Sequence, residues 1–150
     1  MTSRAPAMSD EAELTYTRVF DAPRELVFRC MLEPEHLTHF WGPAGTTTPL
    51  DGITVDPRPG GVFEALMVSD SDGSSYTMRA VYLEIVAPER IVWSEPGTGM
   101  VTTSTFTDLA GARTEVRIHQ ANVPAYALSP ENRAGFLTSL DRFAEYLRTL

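Results

Sequence analysis

The chain reads as an α+β domain: a curved antiparallel sheet of about seven strands wrapped around one long C-terminal helix, with two short helices after the first strand. Three observations predict it. From Thr46 to Gln120 one strand-like segment follows another, each separated from the next by turn residues. Behind them Phe136, Leu140, Phe143, Leu147 and Leu150 recur at four- and three-residue steps, the spacing of a helix with one apolar face. Ahead of them, proline-punctuated phrases between Asp21 and Pro43 are too short for anything but two small helices.

In chain order, Leu14 to Phe20 alternates Leu14, Tyr16 and Phe20 with Thr15 and Thr17, the two-residue period of a half-buried strand, with Arg18 in the apolar phase. Asp21 is placed to cap a helix with Pro23 in its first turn, where a missing N–H costs nothing, and its inner face would be Leu26, Val27, Cys30 and Met31. Pro34 ends that helix and opens a second, Pro34 to Trp41, with Leu37, Phe40 and Trp41 on one side before Gly42-Pro43 stops it. Strands are then expected at Ile53 to Asp56, Val62 to Val68, Tyr76 to Val86, Ile91 to Glu95, Val101 to Thr107 and Thr114 to Gln120. Asp70-Ser71-Asp72-Gly73, Ala87-Pro88-Glu89-Arg90 and Ala110-Gly111 read as hairpin turns, so these strands form a meander. Ser129-Pro130 starts the last helix, the hydroxyl capping it and the proline filling its first position.

Composition narrows the function classes. A chain of 150 residues with 43% hydrophobic content is one domain with one core, taken as 14–150 behind a flexible leader, 1–13. Twenty acidic against twelve basic residues give a net charge of −8, which repels nucleic acid and anionic membrane surfaces. Cys30 is the only cysteine, so there is neither an intrachain disulfide nor a thiol cluster. With no apolar leader segment and no run of roughly 18 apolar residues, the expected setting is the cytoplasm.

Motifs for catalysis are scarce. His36 and His39 stand three residues apart beside Glu33 and Glu35, but at about 100° per residue they do not converge, so solvated surface histidines and no metal are expected. His119 shares its phase with Arg113, Glu115 and Arg117, opposite Thr114, Val116 and Ile118, an outer position. Gly60-Gly61 lacks the flanking pattern of a phosphate loop and reads as a bend entering a strand. No serine sits in a nucleophile elbow, and Cys30 falls on an apolar helix face where a thiol is inert packing.

Arg18 to Pro23, Pro34 to Pro43, Pro57 to Gly61, Glu84 to Trp93 and the terminal helix together resemble the family related to the C-terminal part of the Hsp90 ATPase activator, within the START-like, helix-grip superfamily. The resemblance runs from Leu14 onward and rests on the order of these phrases. Relatives often carry a tryptophan where Phe136 follows Gly135 here, so one wall differs.

The resemblance implies a cavity between the concave sheet and the long helix, and such mostly apolar concavities are where small molecules bind. By strand and helix phase its lining would be Phe40, Trp41, Phe63, Met67, Met78, Tyr82, Trp93, Phe106, Phe136, Leu140 and Phe143; each alone is ordinary core, and the group points to a pocket. Arg18, Glu64, Arg79, Glu84, Tyr76 and Tyr82 are polar candidates for it, although the ambiguous alternation from Tyr76 to Val86 cannot place both Arg79 and Tyr82 inside. The leading expectation is a non-catalytic binder of a small hydrophobic molecule, without cofactor. The alternatives are a small cyclase, dehydratase or hydrolase-type enzyme acting on an apolar or polyketide-like substrate, with proton-transfer chemistry of the kind START-like cyclases and aromatases perform, and a chaperone-partner module. A homodimer would form through edge strands or the Phe40-Trp41 surface.

Overall fold

The computed structural model describes residues 12–150, so the flexible leader expected over 1–13 lies almost wholly outside the described residues. Its last residue, Glu13, already opens strand β1 (Glu13–Phe20). There follow α1 (Arg24–Cys30), α2 (Pro34–Phe40), β2 (Thr46–Thr47), β3 (Ile53–Val55), β4 (Val62–Ser69), β5 (Ser75–Val86), β6 (Arg90–Glu95), β7 (Met100–Leu109), β8 (Arg113–Ala121) and α3 (Pro130–Leu147). All pairings are antiparallel, in the order β1-β8-β7-β6-β5-β4-β2, with β3 also on β4. The strand beyond the expected seven is β2, too short to leave a pattern in the sequence.

The alternation along each strand decides which face is buried. On β7 the inner phase is Met100, Thr102, Ser104 and Phe106, and on β8 it is Thr114, Val116, Ile118 and Gln120. Strand β5 carries a bulge: Tyr82 pairs with Trp93 and Glu84 with Val92, leaving Leu83 unpaired and exposed. One extra residue reverses the inward phase and bends the strand, which is why β5 read ambiguously. Before the bulge Met78, Ala80 and Tyr82 point inward and Arg79 outward.

The turns follow their side chains. Asp72 accepts from the Ser74 N–H at 3.0 Å and Gly73 takes φ +74, closing the β4–β5 hairpin. Gly61 sits so close to the chain that a Cβ there would collide with the Asp56 carbonyl oxygen, and it leads directly into β4.

Four helix details differ from expectation. Pro23, not Asp21, is the N-cap of α1, and no side chain caps it: its extended backbone aims its carbonyl at the Leu26 and Val27 N–H groups, leaving Asp21 exposed. The inner face of α1 includes Phe28, packed edge-on to Phe106 at 5.2 Å, while Leu26 is only half-buried. Trp41 has left α2 for an extended conformation. On α3 Ser129 does cap, accepting from Asn132 N at 3.1 Å, and Phe136, Leu140, Phe143 and Leu147 face the sheet, but Leu150 lies past the helix end and is exposed. No helix among the described residues is long and apolar enough to cross a membrane.

Candidate functional site

Between α3 and the concave sheet lies a cavity of about 420 Å³. Its helix wall is Phe136, Leu140 and Phe143, its far walls are Met67 on β4, Met78 on β5 and Trp93 on β6, and Phe40 and Trp41 enter from the end of α2. Those eight are expected residues that share one lining. The other three, Phe63, Tyr82 and Phe106, are fully buried outside it. Phe63 and Tyr82 stack in parallel at 5.9 Å, with Phe63 also against Trp41 and Trp93, so they support the wall from behind.

The loop that brings Trp41 and Pro43 to the cavity is held from α3. Arg142 donates through Nη1 to the carbonyl oxygens of Gly42 at 2.8 Å and Pro43 at 3.0 Å, and Ala44 N donates to Thr138 Oγ1 at 3.0 Å. Gly42 is buried with φ +95, and a Cβ would lie 2.7 Å from Thr46 Oγ1, so only glycine fits. Phe40 stacks on Phe143 at 4.1 Å, Phe20 lies 4.8 Å from the same ring, and Tyr16 meets Phe136 at 4.3 Å.

The charged candidates are elsewhere. Arg79 pairs with Glu64 at 3.6 Å and Arg90 holds Glu84 by two bonds of 2.8 and 2.9 Å, all outside the cavity lining. Arg18 keeps the apolar phase but turns to Asp141 of α3 at 2.8 Å, also outside the lining. Tyr76 does line the cavity; the Tyr82 hydroxyl is buried without a partner among the described residues, and burial pushes its pKa far up. His36 is not a solvated surface histidine: its Nδ1 lies 2.6 Å from the Tyr146 hydroxyl and its Nε2 3.3 Å from Glu33. His39 stacks on the same tyrosine ring. His119 bonds Glu13 at 2.8 Å, outside the cavity lining. Among the described residues no cluster of three His, Cys, Asp or Glu side chains is placed to hold a metal. Burial lifts the Cys30 thiol to about 11, leaving it protonated and inert.

Sequence reasoning missed much of the polar lining, including Glu95, Thr102, Ser104, Gln120 and Tyr126. Alternation held the signal for the strand residues, since Glu95 follows Ile91 and Trp93 in phase and Thr102 and Ser104 precede Phe106. Burial raises the Glu95 carboxyl above the usual range, with nothing offsetting it. Tyr126 is raised too, first by burial and then by nearby Tyr76 and Glu95.

A curved antiparallel sheet gripping a long C-terminal helix, with two small helices after the first strand, defines a START-like, helix-grip domain, a fold that serves ligand binding in general. The chain belongs to the Activator of Hsp90 ATPase homolog 1-like protein family, whose model matches residues 21–148. A crystal structure of a protein from Chromobacterium violaceum is similar at 29% identity and TM-score 0.80, covering 89% of this chain and 96% of that one. The solution structure of an AHSA1-like protein from Aeromonas hydrophila shares the fold at 18% identity and TM-score 0.78, over 92% of this chain and 93% of that one. So does an AHSA1 protein from Silicibacter pomeroyi at 19% identity and TM-score 0.76, over 92% and 99%. No curated protein matches the chain.

Proposed function

We propose that this protein binds a small hydrophobic molecule in the cavity between sheet and helix and does not transform it. The carrying observation is the cavity itself, about 420 Å³ and walled by aromatic, methionine and aliphatic side chains. A mostly apolar concavity of that size suits a small molecule, because an apolar occupant leaves water as it covers the lining.

The enzyme reading loses its intended machinery, because Glu64–Arg79 and Glu84–Arg90 neutralise each other away from the cavity. It rests on Glu95 with Tyr76 and Tyr126, a proton-transfer set without a positioned cation. The chaperone-partner reading rests on the family name alone. Cytoplasmic residence and a homodimer are proposals as well. For the dimer, the edge strands β1 and β2 are the support, since Phe40 is buried and Trp41 half-buried.

Native mass spectrometry followed by denaturing extraction, with a thermal-shift screen of neutral lipids and aromatic polyketide-like compounds, tests the proposal. A copurifying apolar compound, or several that raise Tm, is the expected result. No copurifying compound and no shift from any member of the screen would overturn it, and capture of an Hsp90-type ATPase in the same preparation would favour the partner module.

A further inference from the structure

The inner wall of the cavity carries a patch of polar groups with no partners. Trp93 on β6 faces Thr102 on β7 directly, and Ser104 follows two residues along on the same face. All three line the cavity and are 4%, 2% and 1% exposed. The indole N–H and both hydroxyls are shielded from solvent and make no hydrogen bond among the described residues. Folded proteins leave few such groups unpaired, and three adjoining ones in the lining of one cavity call for a shared explanation. Gln120, opposite Thr102 on β8, extends the row to a third strand.

The chemistry of the row sets the complement. An indole N–H only donates, and a hydroxyl donates or accepts, so the matching ligand atom is an acceptor oxygen. A carboxylate would also accept, but the charged side chains of the lining, Glu95 and Glu131, are both acidic among the described residues. Glu95 stands two residues from Trp93 on the same face of β6, about 7 Å along the strand. Tyr76 and Tyr126, the titratable groups beside it, supply no positive charge, and the protein as a whole carries −8.

We infer that the occupant is a neutral compound with an apolar, ring-sized body and a carbonyl-type oxygen, seated on Trp93, Thr102 and Ser104, and that Glu95 rejects carboxylates. This rests on the reading of the cavity as a binding site. It names the substrate class of that site: ketones, esters or quinone-like molecules rather than free fatty acids.

Three probes with one ring body test it: naphthalene, 2-acetylnaphthalene and 2-naphthoate, each displacing N-phenyl-1-naphthylamine near neutral pH. The ketone should bind about tenfold tighter than the carboxylate and severalfold tighter than naphthalene, the latter a difference of the size one net hydrogen bond makes. Thr102→Val should abolish the ketone's advantage over naphthalene, with Ser104→Ala as the second variant should the first fold poorly. Glu95→Gln should strengthen naphthoate alone. Equal binding of all three probes, or preference for naphthoate, overturns the polar subsite while leaving the cavity reading intact. Failure of N-phenyl-1-naphthylamine and all three probes to bind overturns both.

Discussion

His36 on α2 and Tyr146 on α3 are joined by a 2.6 Å hydrogen bond between the imidazole Nδ1 and the phenol, across a separation of 110 residues. The same tyrosine ring is stacked by His39 and approached by Phe40, which itself lies on Phe143. This cluster fixes α2 against α3, and α2 leads directly to the Trp41–Pro43 stretch that walls the cavity. Replacing Tyr146 by Phe removes the bond and keeps the ring, so urea denaturation should show a loss of about 1 kcal/mol. An unchanged midpoint would mean that water replaces the bond at no cost.

Phe143 packs against both Phe20 and Phe40 and is buried, 3% exposed, with its free edge on the cavity. Phe143→Ala should cost about 3–5 kcal/mol by lost transfer and cavity formation. Leu137 is on the same helix but 48% exposed, and Leu137→Ala should move stability by less than about 0.5 kcal/mol. The contrast, read from denaturation curves, checks which face of α3 is buried.

Two glycines should respond in opposite directions. A Cβ at Gly135 would meet Pro43 Cβ at 3.6 Å, an ordinary contact, and the residue is helical, so Gly135→Ala should stabilise by about 0.5–1 kcal/mol. Gly61→Ala drives a methyl into the Asp56 carbonyl and should lower Tm. Thermal melts of the two variants side by side are the measurement.

Glu95 should make stability depend on pH. Burial raises its folded pKa above the unfolded value, so the folded state holds the proton more tightly and loses stability as pH rises from the unfolded pKa through the folded one. Glu95→Gln removes that penalty. The variant should melt above the parent at neutral pH, and its advantage should disappear in acid, below both pKa values. A constant difference across the range would locate the effect elsewhere.

Cys30 should resist iodoacetamide in the native protein, since its thiol is buried and lifted to about 11. It should react at an ordinary rate once the chain is unfolded. Mass spectrometry of the alkylated fraction against denaturant concentration should follow the unfolding curve. Labelling without denaturant would contradict the packing of α1.

The sheet and α3 were legible because their signals are periodic: alternation marks Thr114 to Gln120, and four- and three-residue steps mark Phe136 to Leu147. Legibility stops where geometry departs from period. The bulge at Leu83 reverses the phase within β5, so Arg79 and Tyr82 could not be sorted until the strand was seen to bend. Cap geometry hid the start of α1, where the Pro23 backbone does what Asp21 was expected to do. In the site, hydrophobicity selects residues that are buried but cannot tell the lining from the layer behind it, so Phe63, Tyr82 and Phe106 looked equivalent to Trp93. The polar lining was overlooked for the converse reason: Thr102 and Ser104 carry no apolar signal, although they share the inward phase of Phe106. The His36–Tyr146 bond joins residues too far apart in sequence for any local pattern to connect.

Entry of an apolar molecule into the cavity is tested most directly by titrating the protein with N-phenyl-1-naphthylamine and comparing it with Ser139→Phe, in which a ring is added at a lining position of α3. Saturable one-to-one binding to the parent is expected and none to the Ser139→Phe variant, with both folded by circular dichroism. Binding of equal strength to both would contradict it, placing the dye on the surface and leaving the cavity without a ligand-binding role.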